Sequence, residues 1–209
     1  MNCTRTEVVT PPDYEVGSVL SATKELARTT HSFEDQLISR LIRVAVQHLE
    51  ETLGRKLLTQ TLRSWYQGFD DRTSWWDGTI QVSQSAIYSP EIKLPYLPVA
   101  SVVAIKTYSD ADVETTVDPT TYRTANQDKD MWTVIKLIEG ATWPSDLRNL
   151  NSLSVEYIVG HADTLSTLPE NLQYAISAMA AHMYQFGCDP ATAACCIESY
   201  VDKYRVLRL

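Results

Sequence analysis

His48 and Glu51 stand three residues apart in FEDQLISRLIRVAVQHLEETL, a spacing that puts an imidazole and a carboxylate on one face of a helix. Two helices carrying such pairs can hold a carboxylate-bridged di-metal centre. Those centres need several glutamates and a Glu-x-x-His on each of two helices. Here the order is reversed and no second copy follows, so the pair reads as a solvated polar face. His31, His161 and His182 have no partner at a fixed spacing, and Gly160-His161 closes a strand pattern, where it shapes a turn. Cys3, Cys188, Cys195 and Cys196 form no C-x-x-C and no zinc pattern with a histidine pair. They read as reduced, buried or half-buried structural thiols. Neither a phosphate-cradling nor a nucleophile-elbow motif occurs, and seven glycines leave little material for one. The sequence therefore predicts no enzyme, no cofactor and no metal.

Aromatic side chains gather in the middle of the chain: Trp65, Tyr66, Trp75, Trp76, Tyr96, Trp132 and Trp143. Stacking platforms for nucleic-acid bases come with basic grooves, whereas Asp70, Asp71 and Asp77 flank these tryptophans. Core packing accounts for Trp65 and Trp132. Trp75 and Trp76, on a polar loop, fit either local packing or a subunit or tail interface, where such anchors are favoured. Lys and Arg total 18 against 26 Asp and Glu, a net charge of −8. That balance opposes a general nucleic-acid binder, because phosphate neutralisation needs a basic face. It suits a surface that DNA slides past, since like charges repel. The opening MNCTRTEVVT lacks a signal-peptide core, and no run nears the roughly 20 apolar residues of a membrane span. A soluble protein made in the cytoplasm, with no membrane partner, is expected.

The elements that would position these residues follow from hydrophobic period. Val19–Arg28 can form a short helix through Val19, Ala22 and Leu26. A long helix is expected over Phe33–Leu53, with Leu37, Ile38, Leu41, Ile42, Ala45, Leu49 and Leu53 at helical spacing. Arg40, Arg43, Gln47 and Glu50 fill its other side. Ser32 and Asp35 have capping-box spacing, and Gly54 supplies the stop. From Leu57 the period turns to two: Leu58–Gly68, Thr79–Tyr88, Ile92–Leu94, Val102–Tyr108, Thr115–Val117, Tyr122–Thr124, Thr133–Ile138 and Ser152–Val159 read as strands. No helix separates them, so they pair antiparallel. Thr167 and Glu170 box a helix over 169–186 whose stripe is Leu172, Ile176, Met179, Met183 and Phe186. Asp189-Pro190 starts a last helix to 204, carrying Ile197, Val201 and Tyr204. The sum is an α+β protein: an extended arm over 1–17, a helical bundle from 18–56 and 161–204, a β-rich antiparallel insertion over 57–160, and a tail over 205–209.

Several phrases in this order resemble the head-to-tail connector (adaptor, or head completion) proteins of tailed bacteriophages and gene transfer agents. They are Gly54-Arg55 ending a helix, Leu97-Pro98-Val99 with Ser101-Val102 leading to Tyr108, and Tyr122 after a turn. Val155-Glu156-Tyr157-Ile158-Val159-Gly160, Leu168-Pro169 and His182-Met183-Tyr184 complete the set, which spans 15–209. His161 stands where an aromatic is common, Gly187-Cys188 where an arginine-rich end often occurs, and the Trp75-Trp76 loop is longer than the pattern. The resemblance implies a structural protein of the virion neck, assembled in the host cytoplasm, serving genome packaging and DNA ejection. It would form a homo-oligomeric ring, usually twelve-fold, beneath the portal protein. The ring would extend the DNA channel without specific DNA binding and present a platform to the stopper or tail-completion protein. The terminal Tyr204, Arg205, Val206, Leu207, Arg208 and Leu209, alternating apolar and basic, would dock on the portal as a short extended peptide. A DNA-packaging accessory such as a small terminase subunit is the competing reading, and it would need a basic helix-turn-helix that is not evident here.

Overall fold

The computed structural model describes residues 3–67, 91–127, 132–144, 146–195 and 197–205. Helices and antiparallel sheets make it α+β, as the change of period predicts. The chain divides into two compact units, Met1–Thr10 with Thr61–Ile158, and Pro11–Gln60 with Val159–Leu209.

The second unit is helical: α1 (Gly17–Ala27), α2 (Asp35–Leu53), α3 (Glu170–Phe186), α4 (Pro190–Ala194) and α5 (Glu198–Val201). Ile38, Ile42, Ala45, Val46, Leu49 and Leu53 of α2 are buried in one core with Leu172, Ile176, Met179 and Met183 of α3. Each large apolar side chain fully removed from water contributes about 1.5–3 kcal/mol before the entropy of ordering it is subtracted. Two members of the expected stripes lie outside this core. Leu37 is exposed, because α2 carries apolar residues on more than one face, and Phe186 is 69% exposed at the end of α3 against the His182 ring. On α1 the buried line is Val19, Thr23 and Ala27 rather than Val19, Ala22 and Leu26. The Thr23 hydroxyl donates to the Val19 carbonyl at 2.7 Å, so a polar side chain is buried without an unmet bond.

Helix ends follow local chemistry where no tertiary partner intervenes. Gly54 (φ 70°) and Gly187 (φ 58°) take the left-handed cap position, donating to the Glu50 and Met183 carbonyls. The Ser32/Asp35 box does not form, since the Asp35 carboxylate receives Lys24 Nζ of α1 at 2.7 Å. Nor does Thr167/Glu170. A box closes one turn earlier, between Thr164 and Thr167, and Pro169 is the α3 cap. Asp189 caps α4, accepting the Thr192 N–H at 2.7 Å. The single helix expected over 190–204 is instead α4, α5 and a 3-10 turn, Asp202–Tyr204. Thr192, Cys195, Ser199 and Tyr200 are weak helix formers, so burial of Ala193, Ile197 and Val201 dictates the path.

The other unit holds a five-stranded sheet, in the order β1 (Cys3–Thr10), β2 (Gln60–Tyr66), β8 (Leu153–Val159), β4 (Val99–Tyr108), β5 (Glu114–Thr116). A three-stranded sheet orders β3 (Ile92–Lys93), β7 (Val134–Leu137) and β6 (Tyr122–Ala125). The arm expected over 1–17 thus begins as a strand, antiparallel to β2 with Thr6 opposite Ser64 and Val8 opposite Leu62. β2 alternates strictly, burying Leu62, Ser64 and Tyr66. Trp65 therefore lies on the opposite face, half-buried, stacked 5.3 Å from Tyr108 and donating Nε1–H to Glu7; it is not a core residue. Buried Ser64 is satisfied by Thr6 (2.9 Å) and Tyr157 (2.8 Å) hydroxyls. The expected strand Thr79–Tyr88 falls outside the described residues.

Where the chain leaves and rejoins the helical unit, residues 57–59 run beside 160–162. The N–H groups of His161 and Ala162 donate to the Leu57 carbonyl, and Thr59 N–H to Ala162. Gly160 (φ 140°) lies so close that a Cβ would sit 2.4 Å from Thr59 Cα.

Candidate functional site

The residues singled out for chemistry are dispersed. His48 is half-buried and Glu51 exposed, and among the described residues no three His, Cys, Asp or Glu gather as metal ligands would. His161 shapes the turn beside residues 57–59 and meets Tyr204 edge-on at 6.3 Å. His182 Nδ1 lies 3.2 Å from Cys188 Sγ, a pair that spacing did not reveal. Cys3 and Cys188 are half-buried, but Cys195 is exposed, contrary to the expectation of sheltered thiols. Among the described residues no helix is long and apolar enough to cross a membrane.

Of the terminal segment, Tyr204 is half-buried against the helical core, with Lys203 Nζ 4.8 Å above its ring. Arg205 is exposed, 3.7 Å from Asp202. Val206, Leu207, Arg208 and Leu209 lie outside the described residues, as do Trp75 and Trp76.

Glu50 was expected on the polar face of α2, yet it is only 6% exposed. Its Oε1 accepts the Leu57 N–H at 2.9 Å and its Oε2 pairs with Lys56 Nζ at 2.8 Å. The turn after Gly54 folds back over this carboxylate, which is why the helical period misplaces it. Tyr184 donates to Glu34, a bond that pushes the phenol above its ordinary range. In the β unit, hydrogen bonds from Lys106 and then Tyr108 hold Glu114 below the usual carboxylate range. Arg63 pairs with Glu156 at 2.9 Å and Arg148 lies 4.5 Å over the Tyr108 ring. Arg63 and Lys106 are thus matched by carboxylates on strands, and Arg148, outside the strands, by Asp112 at 2.7 Å.

Both units expose apolar side chains: Val8, Val9, Val103, Val113 and Leu150 on the β unit, and a larger, aromatic-bearing set on the helical unit. Phe33, in the turn ahead of α2, is 93% exposed, and Leu37 and Val44 are exposed on α2 itself. Leu26, Tyr174 and Tyr200 are exposed on α1, α3 and α5. Hydrophobic period alone does not mark Phe33, Leu37 and Val44 as a surface. Their signal was an excess of apolar residues on α2 beyond one core stripe.

No protein-family model and no curated protein matches this chain. Solved structures do. The fold is similar to a chain in the virion of the native gene transfer agent particle, with TM-score 0.72 and 20% identity over 99% of this chain and 97% of that one. A chain in the neck of the empty particle, computed with C6 symmetry, gives TM-score 0.73 and 20% identity at the same coverage. One in the neck of the native particle, computed with C12 symmetry, gives 0.69 and 21% over the same shares. At such identities the likeness defines a shared fold that runs the length of both chains.

Proposed function

We propose that this chain is a structural, non-enzymatic neck protein of a phage-like particle: a head-to-tail connector that forms a ring below the portal. The observation that carries the reading is the fold shared end to end with chains of gene transfer agent necks. Both units and the order of elements are covered, which a chance likeness of one helical bundle would not give. The net −8 suits a channel through which DNA must slide, because each phosphate contact would add to the barrier. In this reading the ring extends the DNA channel and offers the stopper or tail its platform; necks computed with C6 and with C12 symmetry support a ring, and twelve copies is the number proposed.

The segment from Tyr204 to Leu209 is the proposed portal dock, and repetition around the ring supplies avidity where one short peptide would bind weakly. The test is electron microscopy of the purified protein with and without portal rings. Rings of this protein seated on the portal are expected. Deleting Arg205–Leu209 should leave the melting temperature nearly unchanged while abolishing attachment. Normal attachment after deletion removes the tail from the role, and failure of the intact protein to join portal rings removes the connector reading.

A further inference from the structure

The helical unit bears two unlike apolar surfaces. On α2, Leu37 and Val44 lie on the side away from buried Ile38, Ile42 and Leu49, and Phe33 extends their line ahead of the helix. Exposed Arg40 and Arg43 interleave with them. Between α1 and α3 runs a groove of about 370 Å³, lined among others by Ala22, Glu25, Leu26, Gln173 and Tyr174. Tyr200 extends its rim, its ring 5.1 Å from that of Tyr174. The groove carries one carboxylate, Glu25, and no cation. Neither Arg40 nor Glu25 forms an ion pair among the described residues. Because α2 turns its buried face toward α1 and α3, the stripe and the groove between those helices point away from each other.

That placement is what a closed ring requires. A twofold dimer joins a patch to its own copy, whereas a ring of more subunits joins two different patches head to tail. We propose that the Phe33–Leu37–Val44 stripe of one copy seats in the Ala22–Leu26–Tyr174 groove of the next, with Arg40 meeting Glu25 at the rim. The inference rests on the neck-ring reading and names the contact that closes the ring. Three features select a second copy as occupant. The patches are unlike and oppositely directed, their charges are complementary, and the necks that share this fold have rotational symmetry. Aromatic anchors flanked by arginine are also what interface centres favour.

The test uses the full-length protein, alone and with portal, scored by mass photometry and negative-stain microscopy with melting temperature as the fold control. Leu37→Glu and Leu26→Glu each replace an exposed side chain. Each should leave the melting temperature nearly unchanged while weakening the contact roughly 30-fold or more, the loss expected of an interface anchor. Arg40→Glu alone and Glu25→Arg alone should each reduce assembly, and the double variant should restore it, which two independent lesions could not do. If Leu37→Glu assembles like the parent, or the double variant is no better than the worse single one, this contact is wrong and the ring reading stands. If the parent protein never assembles, alone or on the portal, both fall.

Discussion

Two glycines separate conformational need from steric need. Gly187 caps α3 at φ 58° with open space where a Cβ would go, whereas Gly160 at φ 140° leaves no room beside the Thr59 backbone. Gly187→Ala should cost about 1 kcal/mol, the penalty of a left-handed residue alone. Gly160→Ala should cost ~3 kcal/mol or more, because backbone on both sides must shift. Urea unfolding of the two variants checks the ranking. Tyr66 and Tyr157 give a second contrast, with pH. Burial pushes both phenols well above their ordinary range, and it outweighs the Ser64 hydroxyl, which pulls each of them down. In the unfolded chain they release protons near pH 10. The folded chain retains them, so their contribution is complete below about pH 10 and declines as pH rises beyond it. Unfolding free energy compared at pH 9 and pH 11 should fall for the parent protein. It should fall less for Tyr157→Phe, while an equal fall would remove that phenol from the account.

At the scale of elements, what was legible was what is decided locally. Gly54, Gly187 and Asp189 cap helices as their types dictate, since a cap needs only the next turn of backbone. The Ser32/Asp35 box failed because Lys24, on another helix, claims the carboxylate, and no spacing within α2 announces that partner. Trp65 was misassigned because both parities of β2 carry apolar residues, leaving burial to the sheet rather than to the pattern. The same ambiguity hid the outer stripe of α2, where Leu37 counted toward a core it does not join. Glu50 shows the cost of misplacing one residue. Glu50→Ala should destabilise by about 2–3 kcal/mol, since it strips the Leu57 N–H of its acceptor and half-buried Lys56 of its carboxylate. Thermal unfolding measures this, and a change under about 0.5 kcal/mol would mark the pair as ornamental.

For the whole molecule, the period change from helix to strand and back predicted the α+β class, and the phrases spread over 15–209 pointed to a fold similar to that of solved virion and neck chains. The surfaces were less legible, because exposure is a property of packed units and the same Leu or Tyr serves either side of a helix. Charge is legible at this scale. With 26 acids against 18 bases, duplex DNA should bind weakly at moderate salt. Fluorescence anisotropy giving sub-micromolar affinity with a steep salt slope would reverse that expectation and favour the DNA-packaging accessory.

The side-by-side run of residues 57–59 and 160–162 has a consequence for what lies between them. Both ends of the excursion are fixed at neighbouring points on the helical unit, so that unit registers where the strand-rich stretch departs and returns, not its length. Closure entropy grows only with the logarithm of that length, about 0.6 kcal/mol for each doubling. Such a stretch is free to lengthen, shorten or be exchanged over generations while the helical unit keeps one shape. One tether on that freedom is the strand Cys3–Thr10, which pairs with β2 and so must change in step with whatever replaces it.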